Sequence, residues 1–186
     1  MPYGLIAVLV ILVVVALFWV GTYNGLIKTR NWAQETFSQI DVQLQRRNDL
    51  IPNLVETVKG YAAHERETLD AVISARQQMI ELGNATPEQI NAASNALSGA
   101  LSRLLAVAEA YPQLQANTNF LELQRQLTET EDKIASARML YNSSIQQYNT
   151  KIQVFPNSLV AGVHGFHPMT YLEAAPEAKQ APKVQF

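Results

Sequence analysis

Residues 120–155 read FLELQRQLTETEDKIASARMLYNSSIQQYNTKIQVF, and a large apolar side chain returns there at every seventh position. The repeating residues are Phe120, Leu127, Ile134, Tyr141, Tyr148 and Phe155, and the companion positions hold Leu123, Ala137, Ile145 and Ile152. A seven-residue repeat places these side chains on one face of an α-helix, where they pack against neighbouring helices in the manner of a coiled coil. The stretch therefore predicts a long helix in a bundle, ending at Phe155-Pro156.

The chain before this stretch also has the pattern of helices. Between residues 26 and 82, apolar side chains recur at intervals of three, four and seven, the spacing of one helix face. Pro52 predicts that this helix is kinked or divided, because proline lacks an N–H and crowds the preceding turn. Gly83-Asn84 predicts its end. The run Thr86-Pro87-Glu88-Gln89 is a capping-box pattern and predicts that a second helix starts there and continues to about Ala110.

A short helix is expected over residues 157–163, closed by Gly165. The sequence contains no run of alternating β-branched side chains and no Asn-Gly hairpin, which are the usual signals of strands. The predicted fold class is therefore all-α.

The amino terminus carries a membrane signal. From Leu5 to Val20 every residue is apolar, and about 20 mostly apolar residues are enough to cross a bilayer. Trp19 and Tyr23, at the end of the segment, have amphipathic rings suited to the membrane interface. A cleaved signal peptide is the alternative, but it would need a basic leading region and small residues at the cut. Residues 1–4 have no basic side chain and the end of the segment is bulky, so an uncleaved transmembrane helix is favoured.

Basic residues flank this segment on one side only. None precedes it, whereas Lys28 and Arg30 follow closely. The positive-inside rule then predicts that the body of the protein faces the cytoplasm. Gly21 and Gly25 have the small-residue spacing that can bring transmembrane helices together. Alternatively, Gly25 is a flexible joint below the anchor.

Length and charge limit the possible classes of protein. The 186 residues fit one domain plus an anchor, divided here into a transmembrane anchor (1–24), a helical bundle (25–168) and a disordered tail (169–186). A net charge of -2 argues against a nucleic-acid partner, which requires a concentrated basic surface. With no cysteine, the chain cannot have a disulfide or a thiol nucleophile.

The sequence offers no catalytic constellation. His164 and His167 flank a glycine in a loop-like segment, and His64 lacks the second histidine that a zinc-binding helix needs four residues later. Neither a glycine-rich phosphate loop nor a nucleophile elbow is present. We therefore expect no catalytic residue, no cofactor, no metal and no small-molecule substrate.

Charged residues interrupt the apolar faces of the helices. Arg47 lies seven residues from both Ile40 and Leu54, and Glu131 and Arg138 share one face with Ile145. Because an isolated buried charge is very unfavourable, such groups should pair across helices. We call the following residues the polar seam: Asp41, Arg46, Arg47, Asp49, Glu131, Arg138 and Asn142. The seam is predicted to be a salt-bridge network that fixes helix register, and the alternative is a docking groove for a partner peptide.

Several stretches together resemble the LemA family. They are Tyr23-Asn24, Arg30-Asn31, residues 38–62 (SQIDVQLQRRNDLIPNLVETVKGYA), His64-Glu65, Ala75-Arg76, Tyr111-Pro112, Asn119-Phe120, Leu123-Gln124, Ala137-Arg138, Tyr141-Asn142, Tyr148-Asn149, Phe155-Pro156 and Gly165-Phe166. The resemblance implies a bacterial inner-membrane protein with one amino-terminal transmembrane helix, followed by an antiparallel bundle of long helices. It brings no established enzymatic activity, cofactor or catalytic residue.

Two functions fit these features. The first is a membrane-anchored scaffold or adaptor, whose partners are the lipid bilayer and either further copies of itself or other membrane proteins. The second is a membrane-tethered signalling or sensory module, in which the region near Pro52 transmits a change between the membrane and the bundle. The second function requires two conformations.

Overall fold

The structure is a computed structural model and describes residues 2–83 and 85–173. Over this part of the chain the fold is helical and contains no strand. The helices are α1 (Pro2–Lys59), α2 (Arg66–Glu81), α3 (Pro87–Ala108), α4 (Pro112–Gln115), α5 (Thr118–Gln153) and α6 (Asn157–Val163). The N-terminal part of α1 is long and apolar enough to cross a membrane. The predicted all-α fold is thus confirmed.

The described residues form two compact units. The anchor unit comprises residues 2–38 and 139–171, and the bundle unit comprises residues 39–138 with 172 and 173. The predicted tail starts at 169. Of its residues, Met169 is bonded through its backbone N–H to the Asn149 side chain, 2.9 Å away, and Leu172 is buried. Residues 174–186 lie outside the described part of the chain.

In the anchor unit, α1 and the end of α5 run antiparallel. The ammonium group of Lys151 donates to the Gly25 carbonyl at 2.9 Å, and the Thr36 and Ser144 hydroxyls are 2.9 Å apart. A side chain at position 25 would meet Lys151, because its Cβ would lie 3.1 Å from Nζ. Gly25 lies in the middle of α1 and allows a close contact, so the interpretation as a flexible joint is wrong.

The predicted short helix forms with the expected bounds, as α6. Gly165 follows it with a φ of +66°, and the Phe166 N–H donates to the Ala161 carbonyl at 3.0 Å. This pattern of a left-handed residue and a six-residue hydrogen bond is a Schellman motif. The turn sends the Phe166 ring back into a core of Leu26, Tyr148, Ile152, Val160 and Ala161.

The bundle unit packs the second part of α1, helices α2 to α4 and the first part of α5 around one apolar core. Its buried members are Ile51, Leu54, Val55, Val58, Ala62, Leu69, Val72, Leu97, Ala100, Leu101, Leu104, Ala108, Leu114, Phe120 and Leu127. The capping box predicted at the start of α3 is present, with Thr86 and Gln89 exchanging hydrogen bonds. Gly83, with a φ of +44°, follows the end of α2.

Five of the six heptad residues of α5 are buried, as predicted, and the sixth is not. Phe155 has 79% of its surface exposed, because α5 ends at Gln153 and the chain has already left the helical path. The prediction that Phe155 lies on the packed heptad face of α5 was therefore wrong.

Pro52 was predicted to kink or divide the first helix, and the division does not occur. Helix α1 continues through Pro52 to Lys59, and the break comes at residues 60–65. Proline has no N–H to offer the carbonyl four residues earlier, which belongs to Asn48. That carbonyl instead accepts a hydrogen bond of 3.0 Å from Nε of Arg76 on α2. A side chain from the neighbouring helix thus replaces the donor that the proline lacks.

This replacement predicts an energetic coupling between Arg76 and Pro52. Arg76→Met should lower the free energy of unfolding by about 1–2 kcal/mol, since it leaves a part-buried carbonyl without its donor. In a Pro52→Ala background the alanine N–H can serve the same carbonyl, so the loss should shrink by about 1 kcal/mol. Denaturant unfolding of the four proteins in mild detergent measures the coupling as a double-mutant cycle. Arg66→Met, at an exposed position of α2, is the control. Equal losses in both backgrounds would contradict the prediction.

Candidate functional site

Arg47 is the most deeply buried charged residue of the polar seam, with a side chain that is 0% exposed. Its Nη1 donates to Oε1 of Glu131 at 2.6 Å and to the Ser98 hydroxyl at 2.9 Å. Its Nη2 donates to the Ser94 hydroxyl at 2.8 Å. One guanidinium group therefore joins α1 to α3 and α5. The planar arrangement of its donors suits it to hold several partners at once.

Arg138 reaches the same place from α5. Its Nη2 donates to the Ser94 hydroxyl at 2.7 Å, so two guanidinium groups share one acceptor. Burial lowers the pKa of Arg138, the nearby Arg47 lowers it further, and Glu131 raises it. Arginine nevertheless stays charged at any physiological pH. The cluster of Arg47, Glu131 and Arg138 carries one excess positive charge. The two guanidinium groups repel each other, so the packing of the helices must hold them in place.

Three of the other seam residues, Arg46, Asp49 and Asp41, are exposed. Arg46 is 43% exposed and its Nη1 lies 3.7 Å from Oε1 of Glu129. Asp49 is exposed and accepts from the Gln45 side chain at 2.9 Å. Asp41 is exposed on α1, and Asn142 is half-buried in the anchor unit. The structure therefore brings together Arg47, Glu131 and Arg138, and the carboxylate paired with Arg47 comes from α5 and not from its own helix.

The two serines of this cluster were missed by the reasoning from sequence. Ser94 and Ser98 lie four residues apart on α3, and Ser94 is buried with 1% exposure. The only signal was the richness of this segment in Ala and Ser, which indicates close helix approach. Its serines could have been identified as partners for Arg47 only by knowing which face of α3 meets α1.

The anchor unit contains a second group of interacting side chains at the end of the apolar segment. We call Trp19, Tyr23, His164 and Phe166 the aromatic cluster. The indole N–H of Trp19 donates to Nε2 of His164 at 3.0 Å, and the rings of Tyr23 and His164 have centroids 4.6 Å apart. Tyr23 also meets the edge of Phe166 at 5.9 Å, and the Arg30 guanidinium lies 5.5 Å from that ring.

Trp19 and Tyr23 were predicted to face the membrane interface. They are half-buried and contact the turn that follows α6. His164 lies in a segment predicted to be a loop, and no sequence pattern indicates that it accepts a hydrogen bond from a residue 145 positions earlier. Because Nε2 is the acceptor, the proton of a neutral His164 lies on Nδ1.

The surface of the described residues also contains depressions outside these two clusters. Among the described residues, no group of three or more His, Asp or Glu side chains could hold a metal ion. One depression of about 320 Å³ is lined by Tyr61, Ala110, Tyr111, Pro112 and Gln113. Beside it, the Tyr111 hydroxyl donates to Oε1 of Glu65 at 3.0 Å, and this hydrogen bond raises the pKa of Tyr111.

Comparison with known proteins gives a consistent family assignment. A model described as the LemA family matches residues 36–186. Magnetosome protein MamQ of Magnetospirillum gryphiswaldense is 30% identical over 178 residues, which cover 83% of this chain and 65% of the relative. Magnetosome protein MamQ 2 of Paramagnetospirillum magneticum is 28% identical with the same coverage. Protein LemA of Metamycoplasma hominis is 27% identical over 145 residues, or 77% of this chain and 65% of the relative. The chain thus spans about 65% of the length of these relatives.

The contrast between two adjacent arginines provides a test of the polar seam. Arg47→Ala should lower the free energy of unfolding by about 3 kcal/mol, because it breaks a pair with one fully buried member. This is the low end of the usual range, since Glu131 is 38% exposed and can be hydrated once its partner is gone. Arg46→Ala, the matched control with an exposed pair, should cost about 0–1 kcal/mol. Arg47→Lys should recover only part of the loss, as lysine lacks the planar fork.

Denaturant unfolding of the purified chain in mild detergent measures all three variants. If Arg47→Ala and Arg46→Ala lose the same amount, the Arg47 cluster does not hold the helices in register.

Proposed function

The chain belongs to the LemA family, and on this basis we propose that it is a membrane-anchored scaffold or adaptor. In this role it binds other membrane proteins or further copies of itself through the exposed faces of its long amphipathic helices. The observation that carries the proposal is the absence of a linker between the apolar segment and the helical body. Helix α1 leaves the apolar segment and continues directly into its contacts with α5.

Contacts along α1 support this role. Just beyond the apolar segment, Leu26 is fully buried, and Lys151 of α5 donates to both the Gly25 carbonyl and the Thr29 hydroxyl, at 2.9 and 3.1 Å. Further along, Thr36 and Ser144 form a buried hydrogen bond. A body on a flexible linker would explore many distances from the membrane. These contacts instead keep the surface of the anchor unit at one fixed height, which is what a scaffold requires.

The names of the relatives are compatible with this proposal. Magnetosome protein and LemA are not names of enzymes, and they fit a membrane-associated protein. Because the chain spans about 65% of their length, their partners and activities are not carried over to it.

We further propose that the helical body lies on the cytoplasmic side of a bacterial inner membrane. Lys28 and Arg30 follow the apolar segment closely, and residues 1–4 contain no basic side chain. Positive charges close to a transmembrane helix favour the cytoplasmic face.

Single cysteines test this orientation, because the chain has none of its own. In spheroplasts, Gln113→Cys should resist a membrane-impermeant maleimide and react only after permeabilisation. Tyr3→Cys, at the opposite end of the apolar segment and 85% exposed, should react at once. The reverse pattern would overturn the cytoplasmic orientation.

Assembly after gentle detergent extraction tests the scaffold role. The extracted chain should run as a defined complex larger than its own 20.7 kDa, either with itself or with co-purifying membrane proteins. A lone monomer without partners would contradict the proposal.

A locked variant separates a scaffold from a signalling module. In Thr36→Cys/Ser144→Cys, the two thiols replace oxygens that lie 2.9 Å apart, so oxidation should join α1 to α5. A scaffold keeps its complex in the oxidised form. Loss of the complex on oxidation and recovery on reduction would favour the signalling module, since that function needs two conformations. The reduced form of the same variant is the control.

A further inference from the structure

An apolar stripe lies on the exposed side of α6 and the turn before it. Phe155, Leu159 and Val163 are 79%, 56% and 70% exposed, and they recur every fourth residue. The opposite side of the segment is buried, since Val160 and Ala161 are 0% and 3% exposed in the core of the anchor unit. A row of large apolar side chains on a protein surface usually marks an interaction site.

The contacts of His164 fix the position of this stripe relative to the apolar segment of α1. His164 directly follows Val163 and accepts the hydrogen bond from the Trp19 indole at 3.0 Å. Trp19 lies one residue before Val20, where the uninterrupted apolar run ends, a rise of about 1.5 Å. Val163 is therefore level with the last turn of the segment that crosses the membrane.

The charge pattern of this region is unusual. From Ile152 to Leu172 the sequence contains no Asp, Glu, Lys or Arg. The exposed part of α5 in the bundle unit, by contrast, carries a dense set of ion pairs, including Lys133 with Glu129 and Arg125 with Glu122. Charged groups are costly within a bilayer, and polar tips there need partners within the protein. The hydrogen bond from the Trp19 indole N–H to Nε2 of His164 gives both of these atoms a partner within the protein.

We propose that Phe155, Leu159 and Val163 insert into the lipid bilayer beside α1, so that α6 forms a second membrane contact. The occupant of this face is lipid, because the stripe continues the surface of the transmembrane segment and lacks charge. Short amphipathic elements of this kind are buried roughly 5–10 Å into the headgroup and acyl boundary. The inference rests on the proposed membrane location of α1. The second contact would restrict the tilt and rotation of the anchor.

The test uses the full chain in vesicles of phosphatidylcholine and phosphatidylglycerol. Leu159→Cys and Val163→Cys are labelled separately with an environment-sensitive fluorophore, and a phosphatidylcholine with a shallow nitroxide serves as the quencher. Both positions are exposed, so the labels do not disturb the core. Met139→Cys is the matched control: it is 71% exposed in the same unit, and about 24 Å along the chain direction from Phe155 at helical rise. Val10→Cys lies about 15 Å along α1 from Val20 and so near the bilayer centre; it is tested with a phosphatidylcholine that carries a deep nitroxide and reports on the transmembrane segment itself.

The emission of the labels at 159 and 163 should fall by at least about twofold when the nitroxide lipid is present, as expected for probes in the boundary region. The label at 139 should be almost unaffected. If labels at 159 and 163 behave like the one at 139 while the label at 10 is quenched, the second contact is refuted and the anchor stands. The labels at 159 and 163 could instead be shielded from water but not quenched by the nitroxide lipid. If this shielding depends on protein density in the vesicles, a second copy covers the stripe and the proposal is overturned. An unquenched label at 10 would refute the anchor as well.

Discussion

A guanidinium group with no exposed surface limits how the helices of the bundle unit can be arranged. Arg47 must keep its ion pair with Glu131 and its hydrogen bonds to Ser94 and Ser98, because a buried charge without partners is strongly unfavourable. A shift of α5 by one helical turn, about 5.4 Å, would remove Glu131 from its 2.6 Å contact. Such a pair adds little stability over an apolar core. Its predicted effect is to disfavour helix registers in which Arg47 and Glu131 no longer meet.

The parts of the fold that could be predicted are those specified by local sequence. The heptad repeat of α5, the capping box at Thr86 and the helix closed by Gly165 all depend on residues within one or two turns. The helix through Pro52 could not be predicted in this way, since its missing donor is replaced by Arg76, 28 positions later. The same reason applies to Glu131. Asp49 was nearer to Arg47 in sequence, but only the packing of α1 against α5 decides which carboxylate reaches it.

Both units solve the problem of buried polar groups with long-range side-chain contacts. In the bundle unit the contacts involve charges, as in the Arg76 hydrogen bond to the Asn48 carbonyl. In the anchor unit they are largely neutral and aromatic, as in the bond from Trp19 to His164. This difference follows from the surroundings of each group. A buried charge in the bundle unit can pair with a partly hydrated carboxylate, whereas polar groups near the apolar segment must form hydrogen bonds with each other. The turn at Gly165 returns the Phe166 ring to the core of the anchor unit.

These positions also determine which residues are available to a partner. Arg47 is fully buried and would reach a partner only if the helices separated, so its location favours a role within the protein. Arg46, one residue away, is 43% exposed and lies 3.7 Å from Glu129. Glu129 also pairs with Lys133 and Arg125, and together these contacts hold the pKa of its carboxyl below the usual value. Exposed ion pairs of this kind contribute little to folding, and a partner can exchange them at small cost. The charged residues around Arg46 and Glu129 on α1 and α5 are therefore more accessible than the buried cluster beside them.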